Sequence, residues 1–373
     1  MTADPGLLSR IADIPQSDTL ACLGPPARPL RLRRAWPRSP TRLILEYTAG
    51  DDVIAGFWSS DGAAARRATA TVDDRLSLVE VHGELVVLHA TGTDGRLPGL
   101  APALELPGAR LISHRAERRA TVAVPGAFLK LVKPGRVAAV AALHRAVHTV
   151  AVPPVLSEDE DAGTLTLGAV DGTSLHDLWA HPGSQAAVRT SGAAIRRLHA
   201  QPLPTDGCRH VHGPQQEATL LADWLERLLP HDPLTHARIR KRARHALADL
   251  TALPASTPTL IHRDLHDKQI LLTTDGSVSL IDLDTVTIGD PAIDLANLAA
   301  HFDLRARQTG ADAAIAAALR DSLLAGYGAP AAWQHRLEVY EHAALLRLAC
   351  VYAFRPHWAK TAASLAEEGR RPS

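Results

Sequence analysis

The stretch "HRDLHDKQILLTTDGSVSLIDLD", His262 to Asp284, restricts the fold more than any other part of this 373-residue chain. Two short apolar runs, Ile270 to Thr273 and Val278 to Ile281, flank Asp275-Gly276, a dipeptide that favours a tight hairpin. The sequence on either side has helical periodicity, so a small hairpin is set into a helical body. With Asp275 and Gly276 as a two-residue loop, Thr274 is predicted to face Ser277, and Gln269 to face Asp282. Directly opposed residues hold their Cβ atoms roughly 5 Å apart. An amide oxygen and a carboxylate would then sit side by side at the open end, with Asp264 in the preceding loop.

Two hard oxygen donors suit Mg2+, which keeps several waters and takes its other ligands from phosphate oxygens. An acid outside that pair is what phosphoryl transfer to a hydroxyl requires. Asp264 fills that place, either accepting the hydroxyl proton or orienting the hydroxyl.

Around this unit the chain divides by pattern. Residues 1–40 are rich in Pro and Arg and are predicted to be loosely ordered, with one short helix near Leu7 to Ile14. The six arginines from Arg28 to Arg42 read as a solvated basic arm, anion binding being the other possibility. Short β segments follow: "RLILEYT", "DVIAGFW", "RLSLVEV" and "ELVVLHA", the last two joined by a His-Gly turn. They end at the Pro-rich "GRLPGLAPALELPG", which sets a β-rich cap at 1–105. The segments "ARLISHR", "RRATVAV" and "AFLKLVK", an Ala-rich helix, an acidic loop "SEDEDAG" and the strand "TLTLGAV" make a small lobe at 106–170. Asp171 to Ser174 are predicted to cap the next helix. Helices are then expected over 184–201, 215–229, 233–253, 291–308, 311–326 and 331–353, giving a helical lobe at 171–373. The fold class is therefore α+β.

Composition excludes several functions. Lys plus Arg equal Asp plus Glu at 40 each, so nothing suggests a nucleic-acid partner. Cys22, Cys208 and Cys350 are too few and too scattered for a disulfide framework or a zinc pattern, which fits a reducing cytoplasm. The start of the sequence lacks a signal-peptide pattern, and no apolar run reaches the roughly 18 residues of a membrane span. Oligomeric state is left open.

Several motifs together carry a resemblance. His262-Arg263-Asp264, Gln269 and Asp282, with the continuation "IDLDTVTIGDPAIDLANLAAHF", resemble the aminoglycoside phosphotransferase-like family of small-molecule kinases, which has a bilobal protein-kinase-like fold. "AFLKLVKPGR", "VDGTSLHDL", "AIRRLHA", "LLAGYG" and "LRLACVYAFRPHW" extend it over about 110–358. The resemblance implies ATP as donor, with GTP the alternative nucleotide, together with Mg2+ and a small hydroxylated acceptor: an aminoglycoside, a sugar or a related metabolite. It makes Asp264 the catalytic aspartate, Lys130 the lysine on the α- and β-phosphates, and Gln269 and Asp282 the magnesium ligands. His262, Asp284 and Asp294 become supporting residues, Asp294 bracing the catalytic loop. Strand alternation alone does not choose between Lys130 and Lys133; the family alignment selects Lys130.

Only twelve positions separate Asp282 from Asp294, which leaves no room for a peptide-docking segment, and no glycine-rich loop is present. Both points favour a small acceptor. The chain departs from the family at three places. Gln269 stands where Asn is usual, Arg263 where Gly is common, and no Asp or Glu occurs between Lys130 and Glu158 to pair with the lysine. His144 lies on the expected helix but replaces a carboxylate poorly. These departures admit a second class of function, a pseudokinase-type nucleotide-binding regulatory module. His176 and His199 have weak claims to a site, and Trp224 and Trp333 read as core or groove lining.

Overall fold

The computed structural model describes residues 6–15, 29–70, 76–179, 181–203 and 211–367; Arg28, Cys22 and Cys208 lie outside them. Helix α1 (Leu7–Arg10) leads into β1 (Asp13–Ile14), the edge of a six-stranded antiparallel sheet. Its other strands are β2 (Leu30–Ser39), β3 (Arg42–Ala49), β4 (Asp52–Ser59), β5 (Leu76–Val81) and β6 (Glu84–His89), in the order β1-β2-β3-β4-β6-β5. Helix α2 (Gly62–Ala70) joins β4 to β5. The β5–β6 hairpin turns on His82 (φ 46°) and Gly83 (φ 78°), two left-handed residues in succession as a type I′ turn requires.

The segment expected to be a loose arm is instead largely β2. In "LRLRRAWPRS" Leu30, Leu32, Ala35 and Pro37 are buried while most arginines face outward, an alternation that the Pro and Arg content obscures. Strands β3 and β4 are buried on both faces. Leu43, Leu45, Tyr47, Ile54 and Trp58 join the main core with the helices. Ile44, Ala55 and Phe57 pack on Val87 and on Ala65 of α2. The sheet is also tied to the helical part by backbone, Ala35 N donating to Phe354 O at 2.8 Å.

Helix α3 (Leu100–Leu104) precedes a five-stranded sheet built from β7 (Arg110–Arg115), β8 (Arg119–Val124), β9 (Ala127–Val132), β10 (Val155–Asp159) and β11 (Thr164–Gly168), in the order β10-β11-β9-β8-β7. Helix α4 (Val137–Ala146) connects β9 to β10. Here "SEDED", expected in a loop, lies mostly in β10: an edge strand tolerates charge, and its acidic residues are exposed.

After β12 (Thr173–Ser174) no helix follows directly, so Asp171 to Ser174 do not cap one; the next helix begins at Ser184 behind Gly183. Leu175 N donates to Ile270 O and His176 N to Asp267 O, so these amides are spent on the hairpin and the turn before it. Then come α5 (Ser184–His199), α6 (Pro214–Leu228), α7 (Pro233–Ala252), β13 (Thr259–Ile261), β14 (Ile270–Leu272), β15 (Val278–Leu280) and β16 (Thr287–Gly289). Helices α8 (Ala292–Thr309), α9 (Ala313–Tyr327), α10 (Gln334–Ala353) and α11 (Ala359–Glu367) complete the body. The helices expected from 184 onward form close to their predicted bounds. No described helix is long and apolar enough to cross a membrane.

Helices α5 and α9 approach closely enough that a Cβ on Gly326 would lie 2.0 Å from Arg189 O, and one on Gly192 2.5 Å from Leu323 O. Both obstacles are backbone, so no rotamer change relieves them. Gly326→Ala is expected to cost about 1–3 kcal/mol or more by overpacking. Gly95→Ala, where a Cβ meets nothing within 4 Å, is the matched control. Thermal unfolding of both variants checks this, and equal midpoints would contradict the close crossing.

Candidate active site

Strand β13 pairs with β16, and the loop from His262 onward leaves β13 over the N-terminus of α8. Asp294, in the first turn of α8 and fully buried, accepts from His262 N (Oδ2, 2.7 Å), Arg263 N (Oδ1, 2.7 Å) and His199 Nε2 (3.0 Å). His199 Nδ1 in turn meets the Tyr327 hydroxyl at 3.0 Å. Arg263 has φ 72°, so the chain turns through the left-handed region directly after the two braced amides and just before Asp264. That backbone accounts for glycine being common there in the resembled family. Further along, Asn297 Nδ2 donates to Leu265 O (2.8 Å), Thr285 Oγ1 to His262 O (2.9 Å) and His262 Nε2 to Ile281 O (2.9 Å). The loop carrying Asp264 is thus hung from α8 and the hairpin at five points.

The hairpin register differs by one residue from the sequence expectation. Ile270 pairs with Leu280 and Leu272 with Val278, so the loop is Thr274 to Gly276, with Gly276 at φ 83°. A turn followed by a left-handed glycine makes a three-residue loop rather than a two-residue one. Gln269 consequently faces Ile281, whose N donates to Gln269 O at 3.0 Å, and not Asp282. Asp282 follows the strand at φ 60°, ψ 57°, which turns its side chain away from the ladder. Gln269 and Asp282 still line one cleft, of about 330 Å³, together with Lys130, Asp264, His266 and Asp284.

Lys130 reaches across from β9. Its Nζ donates to Asp282 Oδ1 at 2.8 Å and Asp284 Oδ1 at 2.5 Å, and Arg119 Nη1 donates to Asp284 Oδ2 at 3.0 Å. The missing small-lobe glutamate is therefore replaced, in this state, by the hairpin's own acids. Burial opposes the Lys130 charge, but the two carboxylates outweigh it and raise its pKa. Burial likewise works against the Asp282 carboxylate, yet Lys130 holds it down to about 2. His144 is buried on α4, and burial followed by the Lys130 charge pushes it down to about 4, so it is neutral at pH 7. Lys133 makes no such contact with the acid pair.

Other polar and aromatic residues stand apart from this cluster. Asp290 accepts from Ala292 N (3.1 Å) and the Tyr340 hydroxyl (2.8 Å) and pairs with Arg336, securing the start of α8. His176 Nδ1 bonds Asp267 Oδ2 at 2.7 Å. Trp224 and Trp333 pack against the main core. His266, Asp267 and His301 cluster, but the two imidazoles stack with planes only 29° apart. A metal must lie near both ring planes, and nearly parallel planes do not meet close by, so the rings are not arranged as a chelate. Asn297, Thr285 and Arg119 were not read from the sequence. Asn297 had a signal: with Asp294 it forms a polar i, i+3 pair in the otherwise apolar first half of α8, 292–300.

An antiparallel sheet with a cleft lysine, set over a helical lobe whose braced loop presents an aspartate, is the bilobal protein-kinase-like architecture. A family model described as the phosphotransferase enzyme family matches residues 110–338, and the chain belongs to that family. Viomycin phosphotransferase of Streptomyces vinaceus is 40% identical over 74 residues, 19% of this chain and 26% of that protein. The chain thus spans about a quarter of the length of that curated relative. Among solved structures, an aminoglycoside phosphotransferase from Streptomyces rimosus is 24% identical with TM-score 0.45, covering 64% of this chain and 92% of its own. A glucosamine kinase in complex with glucosamine, ADP and inorganic phosphate is 18% identical with TM-score 0.48, covering 97% and 98%.

Burial works against the Asp294 carboxylate, but His199 and the loop amides keep its pKa below the ordinary value. Its contribution is therefore full above the unfolded pKa of about 3.9 and is lost as pH falls through its lower folded value. Asp294→Asn is expected to cost about 3–5 kcal/mol near neutral pH. The gap from wild type should narrow on acidification below about pH 4. Urea unfolding at stepped pH measures this; a gap that widens in acid would refute the assigned bracing.

Proposed function

We propose that this chain is an ATP- and Mg2+-dependent phosphotransferase that moves the γ-phosphoryl group to a hydroxyl of a small molecule, an aminoglycoside, a sugar or a related metabolite. The observation that carries this reading is the convergence of Lys130, Asp282, Asp284 and Asp264 on one cleft between the five-stranded sheet and the helical lobe.

The chain's donor atoms fit a hard divalent cation. Gln269 Oε1 is buried without a hydrogen-bond partner, an oxygen whose desolvation is otherwise uncompensated. Asp282 adds a carboxylate that is 40% exposed to the cleft. Gln269 and Asp282 would hold Mg2+, which when bound supplies neutralisation of phosphate charge. Lys130, already charged and on a rigid central strand, would exchange its carboxylate partners for phosphate oxygens. Asp264 would orient the acceptor hydroxyl and take its proton as the new P–O bond forms and the bond to the β-phosphate oxygen breaks, leaving ADP.

A small acceptor is supported by the segment after Asp282. It is closed by the short 3-10 turn Leu283–Thr285 and by β16 on β13, and α8 begins directly afterwards. No stretch there is free to dock a peptide. In this reading residues 106–170 supply the nucleotide side, 171–373 the catalytic loop and acceptor side, and 1–105 a cap.

Asp264→Asn is expected to lower transfer about 10²–10⁴-fold while ATP binding stays close to wild type. Asp282→Asn should instead weaken Mg2+ and ATP use together. Coupled-enzyme assays over an acceptor panel, paired with nucleotide titrations, check both; full turnover in Asp264→Asn, or unchanged Mg2+ dependence in Asp282→Asn, would overturn the roles.

A further inference from the structure

The cleft is uneven in charge. Where β9 meets the hairpin each cation has an acid: Lys130 holds Asp282 and Asp284, and Arg119 holds Asp284. A second wall is made of Arg34 and Trp36 from β2, Arg115 from the end of β7, and Arg355 after α10. Arg34 and Arg115 both lie over the Trp36 ring, 4.8 and 4.9 Å from its centroid. Arg355 rests on Tyr352 at 4.1 Å. These rings fix the guanidinium planes without neutralising them.

Acids are scarce at this wall. Arg34 shares the buried Glu46 with Arg33. Among the described residues no carboxylate is within ion-pair distance of Arg115 or Arg355, and Arg115 Nε is buried without a hydrogen-bond partner. Burial, then the like charges of Arg118, Arg119, Arg38 and Arg34, pushes Arg115 down to about 9. Burial lowers Arg355 as well, with Arg34 and Arg33 adding to it. Packed guanidiniums that repel one another, with one carboxylate shared by Arg33 and Arg34 and none for Arg115 or Arg355, form a ready site for an anion, whose oxygens accept their free N–H groups.

We propose that this second wall is an anion site for the acceptor, so that the molecule phosphorylated here carries a phosphate or carboxylate group besides its reacting hydroxyl. The inference rests on the phosphotransferase reading and narrows its acceptor. Asp264 and His266 line the cleft along with both the wall and Lys130. An acceptor anchored by its anion on Arg34, Arg115 and Arg355 therefore has Asp264 in the same chamber for its hydroxyl. A polycation would meet only like charge at this wall.

Matched acceptors that differ in the anion test the class: ribose against ribose 5-phosphate, and glucose against glucuronate, with ATP and Mg2+ and the full chain. The anionic member is expected to show kcat/KM about tenfold or more higher, and Arg115→Gln and Arg355→Gln each to erase that preference through KM. A preference for the neutral member, or for glucosamine over both, overturns the anionic class and leaves phosphotransfer standing. Binding is read separately by calorimetry with inorganic phosphate and no nucleotide. Phosphate should bind, weaken about tenfold or more in Arg115→Gln and Arg355→Gln, and persist in Lys130→Met. Phosphate binding that is absent, or lost only in Lys130→Met, assigns any anion to the donor end and overturns the proposal even if no acceptor is turned over. Failure of every acceptor with phosphate binding as expected counts against the phosphotransferase reading alone. Arg355→Lys keeps the charge but loses the fork, which guards against a folding defect in the glutamine variant.

Discussion

The buried carboxylate of Asp294 decides where the loop carrying Asp264 lies. Removing a charge from water costs several kcal/mol unless hydrogen bonds compensate it, and here the compensation comes from the loop itself: the amides of His262 and Arg263, with His199 as the third donor. Its place in the first turn of α8 adds the helix dipole. The loop therefore has little freedom to sit elsewhere. Moving it would strand a charge in the core. The left-handed backbone of Arg263 follows directly on these two amides and redirects the chain between them and Asp264. Asp264, next in sequence, inherits its position from this arrangement. The close α5–α9 crossing belongs to the same construction, because it sets His199 on α5 beside Tyr327 on α9.

Opposite the loop, Lys130 joins the sheet to the hairpin. A small-lobe glutamate would hold such a lysine at a distance from the hairpin's acids, but α4 offers only His144, buried and neutral. The lysine accordingly neutralises Asp282 and Asp284 directly. In the proposed phosphotransferase the consequence would be an exchange of partners. Each phosphate oxygen that engaged Lys130 would release a carboxylate, and a released carboxylate at Asp282 is what a divalent cation needs. Donor and cation would then favour each other's binding through one ammonium group.

Much of this was legible in the sequence where the physics is local. Amphipathic periodicity gave the long helices, and the Asp-Gly turn gave the hairpin. The register slipped by a residue because Asp275-Gly276 serves equally in a two-residue loop or in a turn closed by a left-handed glycine, and only the strand pairing of Ile270 with Leu280 distinguishes them. Strands β2 and β10 were hidden by composition, one behind arginine and proline, the other behind consecutive acids on a sheet edge. The partners of Lys130 were not legible at all. They lie more than 150 positions away, and pairing across a cleft leaves no spacing signature.

Strand β2 also changes what the N-terminal sheet does. As a loose basic arm its arginines would be solvated and interchangeable. As a strand with Leu32 and Ala35 turned inward, it presents Arg34 and Trp36 to the cleft at fixed positions. Glu46 on the adjacent β3 secures that placement: fully buried, it accepts from both nitrogens of the Arg34 fork and from His114 N on β7, so one carboxylate links the two sheets. One negative charge shared among Arg33, Arg34 and a backbone amide is enough to position the wall but too little to neutralise it. A cationic acceptor at that wall would have to face the excess, whereas an anionic one would be drawn to it; the sheet that builds the wall would thereby help to decide which acceptors the cleft admits.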